Sequence, residues 1–262
     1  MIGEIAARLS GGYMSGWTYP YASGVEVTRG AILAALGRRW SPGPDRNRTS
    51  AERAFISIPG KVRSIHGLEA ARNTGYVKDI FLRITEGSPV EFPENNVGKC
   101  GNIISVAPSR EAAVESAESA ARSVLIRLAT HHPETDAFLA SPVTTSFPPC
   151  AYTLGPELHQ SLDALPDPWD AGDIAGPLKI LPFPEFTQSE LRDYAGRTPR
   201  ESLEIIRIIT GLALPIIEEE YSGIVLGRRF WDALIRGGYQ GAVYLLDTII
   251  KTLYEGGGQN SV

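Results

Sequence analysis

The sequence is poor in several features that often announce a function. It has two cysteines in 262 residues, Cys100 and Cys150. They are far apart, and neither has a CxxC or CxxH neighbourhood, so they read as two reduced thiols and not as a zinc site or redox pair. Arginines are scattered, no Lys/Arg run reaches the length of a basic patch, and the formal net charge is −5. Nothing there calls for a nucleic-acid partner. No stretch of about 18 apolar residues is available to span a bilayer, because Gly, Pro or charge breaks each candidate. Met1-Ile2-Gly3-Glu4 has no basic n-region leading into an apolar core, which argues against a signal peptide. The expectation is a cytoplasmic protein without a membrane partner. Neither GxxxxGK[ST] nor GxGxxG occurs, so the usual phosphate-cradling loops are missing too.

Apolar residues make up 43% and charged residues 21% of the chain, the balance of a globular protein with enough material for one large domain or two small ones. The chain opens abruptly on an apolar segment with a Glu at the fourth position, as if cut from something longer. Residues 2–9 read as a short strand, and Tyr13 to Tyr21 as an aromatic loop. A helix follows from Val25 to about Gly37, with Gly37 as its carboxyl cap. Strand-like runs recur at Ala51–Ile58, Val77–Ile84 and Gly101–Ala107, with a short helix over Gly67–Asn73 and a loop over Glu86–Asn96. Ser109 caps a helix whose stripe Ala113, Ala117, Ala120, Val124 and Leu128 carries it to His131-His132-Pro133. Residues 133–197 hold ten of the chain's 19 prolines and read mostly as loop. Thr198-Pro199-Arg200-Glu201 has the form of a capping box, and Phe230–Arg236 and Gln240–Tyr254 read as two further helices.

The most informative residues are Glu4-Ile5-Ala6-Ala7-Arg8. On a strand, Glu4 and Arg8 share a face, roughly 13 Å apart at about 3.3 Å per residue. A carboxylate is a hard oxygen ligand suited to Mg²⁺, and an Arg beyond it suits a phosphate or acyl phosphate. The turn Ser10-Gly11-Gly12 allows a ligand close to the backbone.

In order, Glu4–Arg8, Ser10-Gly11-Gly12, Ser23-Gly24-Val25-Glu26 and a helix ending at Gly37 resemble the closing stretch of the ATP-grasp fold. Its strand carries Glu-x-Asn-x-Arg or, in some purine-pathway members, Glu-Ile-Ala-Pro-Arg. Glu52–Ile58, Pro59-Gly60-Lys61-Val62, Val97–Ile104 and Ser109-Arg110-Glu111-Ala112-Ala113 are similar to the carboxyl-terminal domain of biotin carboxylase. The resemblance covers about residues 1–130 and implies an α+β fold: the end of an ATP-grasp domain (1–40), a small antiparallel sheet with helices (41–132), a Pro-rich connection (133–197) and a helical region (198–262).

It also implies an ATP-dependent ligase that activates a small-molecule carboxylate as an acyl phosphate. Glu4 would be a ligand of Mg²⁺ or Mn²⁺, Arg8 would contact substrate and phosphoryl group, and Ala6 stands where many members place a metal-ligating Asn. The lobes that bind ATP do not fit ahead of Glu4. ATP and metal would therefore bind only in a complete enzyme, its missing lobes supplied by a longer product or an ATP-binding subunit. The alternative is a non-catalytic domain derived from such an enzyme that binds a partner or small molecule.

Ser10, Gly11, Gly12, Trp17 and Tyr19 are the substrate-binding candidates. The four large aromatics of the loop could line a pocket or cover the core beneath it. His131 and His132 read as a helix end, and His66 and His159 as isolated. Cys100 reads as packing where it enters an apolar strand. Arg228-Arg229-Phe230-Trp231 and Arg236 read as a solvated helix face with aromatic packing, against an anion-binding alternative.

Overall fold

The computed structural model describes residues 8–141, 147–169, 178–212 and 224–257. Most of the strand expected over residues 2–9, Glu4 included, lies outside the described residues. Along the chain, a π-helical turn at Met14–Thr18 runs into α1 (Tyr19–Ser23), followed by α2 (Val27–Ala35), β1 (Thr49–Phe55), β2 (Gly60–His66), α3 (Leu68–Asn73) and β3 (Val77–Leu82). Then come β4 (Pro89–Val90), β5 (Gly101–Ala107), α4 (Arg110–Ser123), β6 (Leu125–Leu128), α5 (Pro133–Ala140) and α6 (Pro156–Ala164). β7 (Leu178–Ile180), α7 (Pro184–Thr187), α8 (Pro199–Thr210), β8 (Ile224–Leu226) and α9 (Arg228–Gly257) complete it. The fold is α+β, as expected.

The chain divides into two compact units that interleave along the sequence. The first takes Met1–Ile56, His66–Ile84 and Pro93–Leu125. Its antiparallel sheet runs β1-β5-β3, with Thr49 opposite Ala107 and Leu82 opposite Gly101. Ala51 and Ala107 on the sheet meet Ala113 and Ala117 on α4. Methyl groups on both sides let helix and sheet lie close, and a larger side chain there would overpack at a cost of about 1–3 kcal/mol. Ser109 caps α4 by accepting from the Ala112 amide at 3.2 Å.

That helix ends at Ser123, eight residues short of the expected His131. Val124 turns extended, and β6 then buries Ile126 and Leu128 while Leu125 and Arg127 stay half-buried. The residues Val124 and Leu128 fit a helical stripe as well as an alternating strand, so periodicity alone did not separate the two.

The second unit takes Ser57–Ile65, Thr85–Phe92 and Ile126–Val262. It contains the sheet β4-β2-β6, the parallel pair β7-β8 and helices α5 to α9. β2 was not anticipated: Val62 is buried between the outward Lys61 and Arg63 in too polar a run to stand out. Residues 133–197, expected as mostly loop, hold three helices and a strand among the described residues. Pro133, Pro156 and Pro184 each begin a helix, where the missing amide hydrogen would have had no partner anyway and the fixed φ is already helical. The capping box of α8 forms as expected: the Glu201 amide donates to Thr198 Oγ1 at 3.1 Å and the Thr198 amide to Glu201 Oε2 at 2.7 Å.

The two helices expected over 230–254 are halves of α9, broken at Gly238 (φ 61°, ψ −156°). Phe230, Trp231, Leu234 and Ile235 of its first half are buried, and the Trp231 Nε1–H donates to the Leu181 carbonyl at 2.9 Å. Gln240, past the break, accepts from the Ile58 amide (3.3 Å) and donates to Ser57 Oγ (2.9 Å) and the Ile126 carbonyl (3.2 Å). One amide side chain thus ties α9 to β6 and to the start of β2. No described helix is long and apolar enough to cross a membrane.

Candidate functional site

Arg8 is exposed and its Nη1 donates to the Leu9 carbonyl at 3.2 Å. Ser10, Gly11 and Gly12 follow on the surface, and a Cβ added at either glycine would meet no described atom within 4 Å. The Ser15 hydroxyl donates back to the Ser10 carbonyl at 3.1 Å, closing the turn. The aromatic loop, expected without regular structure, winds through one π-helical turn: the amides of Trp17 and Thr18 both donate to the Tyr13 carbonyl at 3.0 Å. Single π turns of this kind recur at functional sites.

The turn delivers its rings to β3. Tyr13 stacks on Phe81 with centroids 4.3 Å apart, and Trp17 meets both edge-on at 5.3 and 5.2 Å. The Arg83 guanidinium lies 5.7 Å from the Tyr13 centroid and donates to the carbonyls of Asn96 and Val97. Trp17 keeps 37% of its surface in solvent and Tyr19 47%. Tyr13 is therefore anchored by packing, Trp17 packs against two rings while staying partly exposed, and Tyr19 makes no ring contact among the described residues. The structure brings Trp17 together with Tyr13, Phe81 and Arg83, and leaves Arg8 and Tyr19 apart from that group.

The turn Ser23-Gly24 needs its glycine. Gly24 has φ 78°, and a Cβ there would lie 1.6 Å from Asp45 Oδ1. Among the described residues no group of three or more His, Cys, Asp or Glu side chains converges as a metal site. Burial pushes the Cys100 thiol up to about 12, so it stays protonated and packs as an apolar side chain.

One expectation for the carboxyl-terminal region needs correcting. Arg236 is 2% exposed, not solvated: its Nε donates to the Phe138 carbonyl (3.1 Å) and its Nη1 to the Pro148 carbonyl (2.7 Å), with the Phe138 ring 4.2 Å away. It is a cross-brace inside the unit. Arg228 and Arg229 pair with Asp163 and Asp167, so both are part of the unit's own charge network.

Sequence reading missed a second feature of the first unit. Arg46 and Arg48, just ahead of β1, join Lys78, Tyr21 and Val106 around a cavity of about 490 Å³. The available signal was the alternation Arg46-Asn47-Arg48 ahead of a strand, which needs the fold before it acquires a target.

With this geometry in place, comparison with known proteins locates the resemblance. Residues 54–129 match the family model of the L-amino acid ligase C-terminal domain 2. The expectation of an ATP-grasp ligase carboxyl-terminal region is borne out over those residues, which run from the end of β1 through β6. The crystal structure of L-amino acid ligase from Bacillus licheniformis aligns at 21% identity and a TM-score of 0.42, covering 47% of this chain and 31% of that one. Phosphoribosylglycinamide synthetase from Anaerococcus prevotii aligns at 16% identity and a TM-score of 0.38, covering 43% and 30%. The chain thus spans under a third of the length of either solved relative. No curated protein matches it. The candidates Glu4 to Tyr19 precede the residues matched by the family model.

Proposed function

We propose that this chain is the carboxyl-terminal part of an ATP-dependent ligase that activates the carboxylate of an L-amino acid. The match of residues 54–129 to an L-amino acid ligase carboxyl-terminal domain carries the reading. In the complete enzyme, ATP supplies the γ-phosphoryl group to a carboxylate oxygen with release of ADP, and a divalent cation would neutralise charge on the transferring group. An amine then attacks the acyl carbon and phosphate leaves. Arg8 stands free enough to hold the acyl-phosphate oxygens through its guanidinium fork. Glu4 is proposed as a metal ligand, and the Ser10-Gly11-Gly12 turn, Trp17 and Tyr19 as the wall against which the amino-acid substrate lies. In this reading the lobe for ATP is supplied by a longer product or a partner subunit.

The test is capture of the native protein from its source cell with an antibody to residues 240–262, followed by intact mass and an assay of the captured material. Phosphate release from ATP that requires an L-amino acid is expected, together with its loss on Arg8→Ala. Micromolar MgATP binding by the isolated chain would refute the incomplete-site reading. Captured material without amino-acid-dependent turnover would refute the ligase reading itself.

A further inference from the structure

The cationic cavity of the first unit is built by four separate stretches of chain. Residues 45–48 are laid against the end of α1: the amides of Asp45 and Arg46 donate to the Ser23 carbonyl at 3.0 and 3.3 Å, and the Arg48 amide to the Ala22 carbonyl at 3.1 Å. Two residues apart on an extended chain, Arg46 and Arg48 send their side chains to one side. Lys78 arrives from β3 at the point where the register against β5 slips between Val77 and Asp79. An extra residue in a strand bends it and re-aims the side chain. Lys78 Nζ comes to 5.8 Å from the Tyr21 centroid, while Asp79 accepts from Tyr21 Oη at 2.6 Å. Val106 of β5 closes the wall.

The fold leaves the charge of this cluster largely unbalanced. Asp79 is engaged by the Tyr21 hydroxyl, whose pKa is pushed up to about 12, first by burial and then by that carboxylate, so Tyr21 remains the donor. Asp45 meets Arg46 through Nε at 3.3 Å, with both side chains more than half exposed, and a pair that open holds little. Arg48 and Lys78 have no carboxylate partner among the described residues. Three cations therefore face one cavity in a chain whose formal net charge is −5.

We propose that this cavity binds a small phosphate monoester. Two guanidinium forks and an ammonium suit the three oxygens of a terminal phosphoryl group better than the two of a carboxylate, and such a group approaches two negative charges at neutral pH. The volume falls within the range of small-molecule pockets. Tyr21 and Val106 offer an apolar wall to the organic body. None of the three cations is a candidate for the ligase site, and the proposal needs neither ATP nor a completing lobe.

Calorimetric titration of the full chain with phenyl phosphate, beside benzoate, tests it. Saturable one-site binding of phenyl phosphate is expected, with benzoate weaker by about tenfold or more. Arg48→Gln and Lys78→Met should each weaken phenyl phosphate by at least about fivefold with melting temperature unchanged, since both side chains are exposed. Glu118→Gln, on α4 and remote in role, should leave the affinity as it is. Benzoate bound as well as phenyl phosphate, affinity unmoved in both variants, or no saturable binding at all would overturn the proposal. So would binding to vesicles of phosphatidic acid without binding of phenyl phosphate, an outcome that would assign the cluster to a membrane surface.

Discussion

Each unit places an arginine against aromatic rings, and the two clusters differ in what surrounds them. In the first, Arg83 lies over Tyr13, with Phe81 and Trp17 beside it, and both Arg83 and Trp17 remain exposed. In the second, Arg236 lies over Phe138, is 2% exposed and spends its donors on backbone carbonyls. Residue type was a poor guide to role: the Tyr13–Tyr21 loop read as a pocket wall or a cover for the core, and Arg236 as part of a solvated helix face. The chemistry that separates them is desolvation. A buried guanidinium whose Nε and Nη1 are held by backbone carbonyls braces the chain, whereas an exposed one beside a partly exposed ring keeps donors for something else.

The comparison is most easily broken at Arg236. Truncation to alanine leaves a cavity and two carbonyls without their donor, and a loss of about 3–5 kcal/mol is expected, read as a shift in denaturation midpoint. A loss below about 1 kcal/mol would mean that water enters and that the cluster is not a closed brace. Next in size is Gly238, whose φ 61° and ψ −156° place it in a region open to glycine alone. Gly238→Ala should cost about 1–3 kcal/mol, since the break in α9 lets Tyr239 and Gln240 reach the Ile126 backbone. If the cost is negligible, those bonds do not depend on the break.

What the sequence made legible was local and periodic. The apolar run of Gly101–Ala107, the cap at Ser109 and the capping box at Thr198 each follow from a few adjacent residues, and each is present. What it hid depended on partners far along the chain. Val124 to Leu128 satisfied two periods at once, and only the burial of Ile126 and Leu128 decides for a strand. The prolines of 133–197 signalled interruption, yet three of them start helices, because proline marks a boundary without saying which side is ordered. The candidate site was read as a set of types, Glu4, Arg8 and an aromatic loop. The gathering of Arg46, Arg48 and Lys78 was not, because it required the register slip in β3 and the docking of residues 45–48 on α1.

The smaller effects fall in the first unit, where they sharpen the contrast. Trp17→Ala removes two edge-on ring contacts from a side chain that already keeps 37% of its surface in water, so about 1 kcal/mol of stability should go. If Trp17 is part of the substrate wall, amino-acid-dependent turnover of the captured enzyme should fall far more than stability does; a large drop in melting temperature with turnover intact would make it a cover for the sheet. Arg83→Ala should be smaller still, about 0.5–1 kcal/mol, because an exposed cation over a ring is well solvated in either state. Its two carbonyl partners at Asn96 and Val97 lie on an exposed loop where water replaces the lost donor. Side by side, Arg236→Ala and Arg83→Ala remove the same group from similar rings, so the difference between their midpoints measures what desolvation adds. Equal losses would mean that the ring contact sets the energy, and the distinction between brace and open surface would fall with it.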